Sequence, residues 1–114
     1  MAKSVTIYHN PKCTTSCNVL AMIEATGAKP RIVEYLKVGW TKPQLKALFA
    51  AAGVTPREAM RKNAAEDLGI SAKATATQIL EAMVEHPVLV ERPFVETSKG
   101  VRLCRPKEVV RELL

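Results

Sequence analysis

Residues 4–17 carry the sequence SVTIYHNPKCTTSC, in which two different patterns meet. Val5 and Ile7 alternate with polar neighbours, which predicts a first strand over Ser4–Tyr8. Apolar residues then recur at roughly helical spacing and predict a helix over Thr14–Ala25. Cys13 stands at the junction, in the first turn of the helix. Unpaired N–H groups and the positive end of the helix dipole favour a thiolate there, so the junction predicts a reactive cysteine.

The chain on either side of this junction extends it to a β-α-β unit. Gly27 is predicted to end the helix, and a second strand is predicted over Arg31–Tyr35. A crossover of this kind joins parallel strands and is right-handed in nearly all proteins. The apolar face of the helix is predicted to include Cys17, Leu20, Met22 and Ile23.

Three matches to the capping box occur in the middle of the chain, at 41–44, 55–58 and 75–78. A threonine followed three residues later by Gln or Glu is typical of a helix N-terminus, and two of these matches also carry proline just inside it. They predict three helices and hence a helical insertion over about 41–86, which ends before Pro87.

The last third of the chain predicts strands over 88–91, 94–97 and 101–105, with a turn at 98–100 that makes an antiparallel hairpin. Pro106 suits the first position of a short final helix. The order is therefore β-α-β, helices, then β-β-α. This is an α/β protein with a thioredoxin-like mixed sheet and an inserted helical segment.

Composition limits the class of protein. With 114 residues and 47% hydrophobic content, the chain is long enough for one core, so a single domain over 1–114 is expected. The formal charge of +6 favours an anionic partner, but the basic residues alternate with acidic ones, and a small anion fits as well as nucleic acid. No apolar run approaches the roughly 20 residues of a membrane span, and we expect no signal peptide before the first strand. We expect a cytoplasmic protein that binds neither a membrane nor nucleic acid.

The three cysteines suggest redox or nucleophilic use rather than a disulfide framework. Polar flanking residues argue against burial of Cys13 in an apolar core. Cys17 lies one helical turn further on, and two interpretations stay open for it, a resolving thiol or a packing residue. A metal site is not expected, because C-x3-C is a weak ligand pattern with few further ligands. A phosphatase-type loop is excluded because the position six after Cys13 is Val19.

Four motifs agree in order and spacing with one known family. They are Tyr8–Cys13 followed by Thr15 and Ser16, Met60–Asn63, His86–Pro87 leading to Glu91–Pro93, and Arg102–Pro106. Together they resemble the glutaredoxin-coupled arsenate reductase family, from about Val5 to the C-terminus.

The resemblance implies a role for each site residue. Cys13 is implied as the nucleophile, and His9 as the group that helps to lower its pKa. Arg61, Arg92 and Arg105 are implied to bind the arsenate oxyanion. Such a cluster makes physical sense only around an anion, since two guanidinium groups about 6 Å apart repel by roughly 3 kcal/mol at an effective dielectric constant of 20.

The resemblance also implies that Pro93 is a cis-proline beside the active cysteine. Electrons are implied to come from glutathione as a co-substrate and from glutaredoxin as a protein partner, with no bound cofactor. Nothing in the sequence suggests a large interface, so a monomer is expected.

Cys17 departs from the arsenate-reducing members, which commonly carry arginine at this position. One alternative is therefore a general glutathione-dependent thiol-disulfide oxidoreductase that uses Cys13 and Cys17. Another is a redox regulator that resembles the transcription-factor branch of the family and binds RNA polymerase. That branch commonly shows C-x2-C, which this chain lacks.

Overall fold

The computed structural model describes residues 4–114, which fall into two compact units. The sheet unit contains residues 4–38 and 92–114, and the helical unit contains residues 39–91. The helical unit includes the whole insertion predicted over 41–86. That the chain forms a single domain stays a prediction.

Four strands form one mixed sheet in the order β2-β1-β3-β4. They are β1 (Thr6–Tyr8), β2 (Arg31–Val33), β3 (Phe94–Thr97) and β4 (Gly100–Leu103). Strand β1 pairs with β2 in parallel and with β3 antiparallel, and β3 pairs with β4 antiparallel. Helix α1 (Thr14–Ala25) connects β1 to β2 and has the bounds predicted from the sequence. The predicted thioredoxin-like arrangement of β-α-β followed by a hairpin is confirmed.

Helix α1 packs one face into the core of the sheet unit. Its buried residues are Ser16, Val19 and Ile23, whereas Cys17 is exposed. The predicted apolar face was therefore wrong at Cys17, because the polar Ser16 takes the inward position of the first turn. The core contains aliphatic residues from β1, α1, β3 and the C-terminal segment, together with one cysteine: Val5, Ile7, Val19, Ile23, Val95, Cys104, Val110 and Leu113.

The helical unit contains α3 (Lys42–Ala52), α4 (Lys62–Asp67) and α5 (Ala76–Glu85). Thr41 and Thr75 cap α3 and α5, and both complete the reciprocal hydrogen bonds of the capping box. Gly53 ends α3 at a φ of 70°, a left-handed conformation that favours glycine.

Two predictions for this unit were wrong. The capping box at Thr55 and Glu58 forms its hydrogen bonds, yet only a turn follows it, and the next helix begins at Lys62. The segment predicted as a strand over 88–91 is instead a 3-10 helix over Pro87–Leu89 and a single bridge from Val90 to Met60. The capping hydrogen bonds at Thr55 and the bridge at Val90 both form, but neither is extended into a helix or a strand.

Strands β1, β2 and β4 are shorter than predicted, whereas β3 spans the predicted residues 94–97. Strand β2 ends at Val33, and a one-turn helix α2 (Tyr35–Val38) follows it. The C-terminal helix is of the 3-10 type over Lys107–Glu112, with Pro106 at its N-cap rather than inside it. The structure describes no helix, within residues 4–114, long and apolar enough to cross a bilayer.

Candidate active site

Cys13 is the N-cap residue of α1 and has extended backbone angles, φ −98° and ψ 120°. Its N–H donates to the carbonyl of Asn10 at 3.0 Å, and its carbonyl accepts the N–H of Cys17 at 3.0 Å. The side chain of Asn10 accepts the N–H of Lys12 at 2.9 Å and tightens the preceding turn. The loop thus holds the thiol at the N-terminus of the helix, where only 8% of the residue is exposed.

Opposing effects act on the Cys13 thiol, and the net result is a pKa below its ordinary value. Burial raises the pKa, because a thiolate is poorly solvated there. Three groups together lower the pKa by more than burial raises it. They are the backbone N–H of Ser16, the Arg92 guanidinium, which acts through both a hydrogen bond and its charge, and the backbone N–H of Thr15. A lowered pKa increases the fraction of Cys13 in the thiolate form, which is the nucleophilic form of a thiol.

Arg92 is buried, with 7% of its surface exposed. Among residues 4–114, its Nε and Nη1 find no hydrogen-bond acceptor and no carboxylate forms a salt bridge with it. A buried guanidinium with two unsatisfied donors is costly unless an acceptor arrives. An oxyanion beside the thiol would satisfy both donors.

Two arginines of the C-terminal motifs come together. Nη1 of Arg105 donates to the backbone carbonyl of Arg92 at 3.1 Å. Both arginines precede proline, and the Arg92–Pro93 and Arg105–Pro106 peptide bonds are cis. The first is the geometry that the family resemblance implies for Pro93, whereas nothing in the sequence pointed to the second. Arg105 is exposed and lines an open cleft with residues of α1 and the C-terminal segment: Thr15, Asn18, Pro106, Lys107 and Glu108.

Arg61 belongs to the helical unit, where it is the half-buried N-cap residue of α4. Its N–H donates to the carbonyl of Leu89 at 2.7 Å, which fixes its backbone. Its role as a third ligand of the oxyanion stays a prediction.

His9 is the residue that the family resemblance implies to help lower the pKa of Cys13. It is 6% exposed, and its pKa lies below the ordinary value because burial disfavours the cation more strongly than nearby Glu34 favours it. A neutral imidazole at pH 7 offers the thiolate no positive charge. The groups that lower the pKa of Cys13 are Arg92 and the backbone N–H groups of Ser16 and Thr15, and the role that the resemblance implies for His9 stays a prediction.

Ser16 is the site residue that the sequence interpretation missed. Its Oγ lies 2.6 Å from Nδ1 of His9 and accepts the N–H of Asn10 at 3.1 Å. It therefore ties the start of α1 to the end of β1, and its own N–H is one of the groups that lower the pKa of the Cys13 thiol. The sequence feature that could have revealed it is a serine on the same helix face as the apolar residues Val19 and Ile23.

The other two cysteines occupy opposite environments, and all three are free thiols. Cys17 is exposed, and its Sγ donates to the carbonyl of Pro11 at 3.3 Å, so the packing interpretation was wrong. Cys104 is fully buried. Burial raises its pKa to about 12, with Arg102 opposing that effect and Glu112 adding to it. Within residues 4–114, no three His, Cys, Asp or Glu side chains form a group that could hold a metal ion.

Comparison with known proteins agrees with this geometry. The model of the ArsC family matches residues 8–113. The chain is 59% identical to the arsenate reductase ArsI2 of Synechocystis, over 96% of this chain and 81% of that protein. It is 45% identical to the arsenate reductase of Escherichia coli K12, over 97% and 81% of the two chains.

A solved structure agrees over the full length. The arsenate reductase from Vibrio cholerae superposes with a TM-score of 0.89 at 37% identity, covering 100% of both chains. The fold, the cysteine loop and the sequence similarity therefore lead to one conclusion: the chain belongs to the ArsC family.

Proposed function

We propose that this protein reduces arsenate to arsenite, with Cys13 as the nucleophile. One observation carries the proposal. A thiol with a lowered pKa lies beside the buried Arg92, whose Nε and Nη1 have no acceptor of their own. The relatives named arsenate reductase, which match nearly the whole chain, support the same activity.

In the first step the thiolate of Cys13 attacks arsenic, and an arsenic–oxygen bond breaks. Hydroxide leaves and takes a proton to become water, and a Cys13–arsenate adduct remains. The guanidinium of Arg92 stabilises the negative charge on the remaining oxygens through forked hydrogen bonds. Arsenic is still pentavalent at this stage.

Two further thiols supply the two electrons. Glutathione displaces a second oxygen as water and forms a glutathione–arsenic bond. A glutaredoxin thiolate then attacks the glutathione sulfur, and the electron pair of the sulfur–arsenic bond stays on arsenic, which becomes trivalent. The products are a mixed disulfide of glutaredoxin and glutathione and, after hydrolysis, arsenite and free Cys13.

Arg105 and Arg61 complete the oxyanion site in this proposal. Arg105 is supported by its hydrogen bond to the backbone of Arg92, which couples the two residues directly. Arg61 is supported by the family resemblance alone. The exposed cleft that Arg105 lines offers room for glutathione beside the first turn of α1. Three free thiols further support action in the reducing cytoplasm.

The test is a coupled assay that follows arsenate-dependent NADPH consumption with glutathione, glutaredoxin and glutathione reductase. We expect turnover that disappears in Cys13→Ser and when glutaredoxin is omitted. Absence of turnover, or turnover undiminished in Cys13→Ser, would refute the activity. Turnover that persists without glutaredoxin would refute only the electron donor.

One observation favours a second candidate, a general thiol-disulfide oxidoreductase. Cys17 is an exposed thiol one helical turn from Cys13. This candidate predicts reduction of a small disulfide substrate that needs Cys17 and ignores arsenate. The same protein preparation, assayed with hydroxyethyl disulfide in place of arsenate, distinguishes the two activities.

A further inference from the structure

Cys13 and Cys17 lie on the same side of the first turn of α1. The N–H of Cys17 bonds to the carbonyl of Cys13, as in a regular helical turn. The Cys17 thiol bonds to the carbonyl of Pro11, so it points back over the loop that carries Cys13 rather than outward along the helix. Two thiols, one with a lowered pKa and one open to solvent, thus border the same loop.

The spacing of this pair suits a bridging atom better than a disulfide. Helix positions four residues apart have Cβ atoms about 5–6 Å apart. A disulfide needs a Cβ separation of about 3.5–4.5 Å, because its two sulfurs are directly bonded. A direct disulfide would need the two Cβ atoms closer than this regular spacing, whereas one atom inserted between the sulfurs lengthens the bridge and is compatible with the spacing.

We propose that Cys13 and Cys17 form a two-thiol site that binds trivalent arsenic. This inference rests on the proposed function, because its ligand is the product of that reaction. Arsenous acid reacts with both thiols, forming two arsenic–sulfur bonds and releasing two molecules of water, with one hydroxyl left on arsenic. Arsenic stays trivalent and no oxidant is needed. Trivalent arsenic is a soft acceptor, and soft acceptors prefer thiolates.

The site has a consequence for turnover. Arsenic held by both sulfurs occupies the nucleophile, so arsenite becomes an inhibitor of the enzyme that makes it. Linking the two sulfurs through one chain raises the local concentration of the second thiol, which makes the bridged form far tighter than a single-thiol adduct. Cys104 does not compete, because it is fully buried and burial raises its pKa to about 12.

The test measures arsenite binding to the reduced, folded protein by native mass spectrometry and by counting thiols that react with Ellman's reagent. We expect one arsenic per chain and loss of two reactive thiols. The variant Cys17→Ser should bind arsenite about 10²-fold more weakly. A matched control, Cys17→Ser with Asn18→Cys, keeps Cys13 and a second, exposed thiol on the helix but moves that second thiol off the face of Cys13, and should bind as weakly as Cys17→Ser.

Three outcomes would overturn the site. The first is no bound arsenic, and the second is binding by Cys17→Ser or by the Asn18→Cys control that is as tight as binding by the wild type. The third is loss of both thiols with a mass lower by two hydrogens, which indicates a disulfide. Binding is measured without turnover, so this test is independent of the reductase assay. A protein that reduces arsenate but fails here refutes only the site, and one that binds arsenite through both thiols but reduces no arsenate refutes only the proposed function.

Discussion

The first turn of every helix has backbone N–H groups without a partner inside the helix. Helix α1 uses these groups differently from α3 and α5. Thr41 and Thr75 accept the N–H three residues on, and their helices are fully capped. Cys13 occupies the same position in α1, yet its side chain makes no capping hydrogen bond. The N–H groups of Thr15 and Ser16 instead lower the pKa of its thiol. The starts of α3 and α5 stabilise the fold, whereas the start of α1 has no side-chain cap and serves a nucleophile.

The largest effect that would break this comparison is expected for Cys13→Ser. Arsenate reduction should fall by about 10⁴-fold or more, because the nucleophile is lost. Serine is a good N-cap residue, so the free energy of unfolding should not fall. The coupled assay and urea denaturation check the two parts. A variant that loses stability together with activity would show that Cys13 is a structural cap like Thr41.

Arg92→Lys should have the next largest effect, a loss of about 10²-fold in kcat/KM for arsenate. Lysine keeps the charge but lacks the planar fork that would bind two oxygens. The exposed Arg31→Lys is the matched control and should leave kcat/KM unchanged. Equal effects of the two substitutions would remove Arg92 from the oxyanion site.

The thiol itself can be followed in a companion variant, Arg92→Met. Loss of the hydrogen bond and the charge should raise the pKa of Cys13, so that iodoacetamide alkylation of Cys13 requires higher pH than in the wild type. Mass spectrometry of the Cys13 peptide over a pH series measures the profile. An unchanged profile would assign the activation of Cys13 to the helix terminus alone.

A smaller effect is expected where a cap is only structural. Thr75→Ala should lower the free energy of unfolding by about 1 kcal/mol, because the N–H of Gln78 loses its acceptor. Thr77→Ala lies in the same turn, accepts no capping bond, and should change stability by less. Both variants should keep wild-type arsenate reduction. Activity loss in Thr75→Ala at unchanged stability would contradict the division between the two kinds of helix start.

The smallest effect concerns pH and His9. Its pKa is lowered in the folded protein, so between that pKa and about 6.5 the unfolded chain binds more protons than the native one. Stability should therefore fall as the pH drops below about 6.5, and His9→Gln should flatten this slope. Urea denaturation from pH 7.5 to 5.0 measures it. A slope unchanged in His9→Gln would contradict the assignment.

Local sequence signals predicted the sheet unit well. Alternation over Ser4–Tyr8, the helix after Cys13 and the hairpin turn at 98–100 are short-range features, and they survive folding. The box at Thr55 failed for the opposite reason. Its hydrogen bonds form, but a helix also needs a buried face, and only Ala59 of the turn that follows is fully buried.

The sequence predicted which residues belong to the site better than it predicted their charge states. The junction at Cys13 followed from sequence, and Arg92 followed from family resemblance. The neutral state of His9 did not, because it depends on burial, which no local pattern reports. The partnership of Ser16 with His9 joins residues seven apart on different elements and was equally hidden.

Because Cys104 is unreactive in the folded protein, it can serve as a probe of transient unfolding. Its sulfur is sealed in the core of the sheet unit and is almost entirely protonated near neutral pH. Labelling of this one position by a maleimide therefore requires the core to open, so the labelling rate reports how often the sheet unit transiently unfolds. The labelling rate of Cys104 can be compared in the presence and absence of an anion, and no probe residue needs to be introduced by mutation.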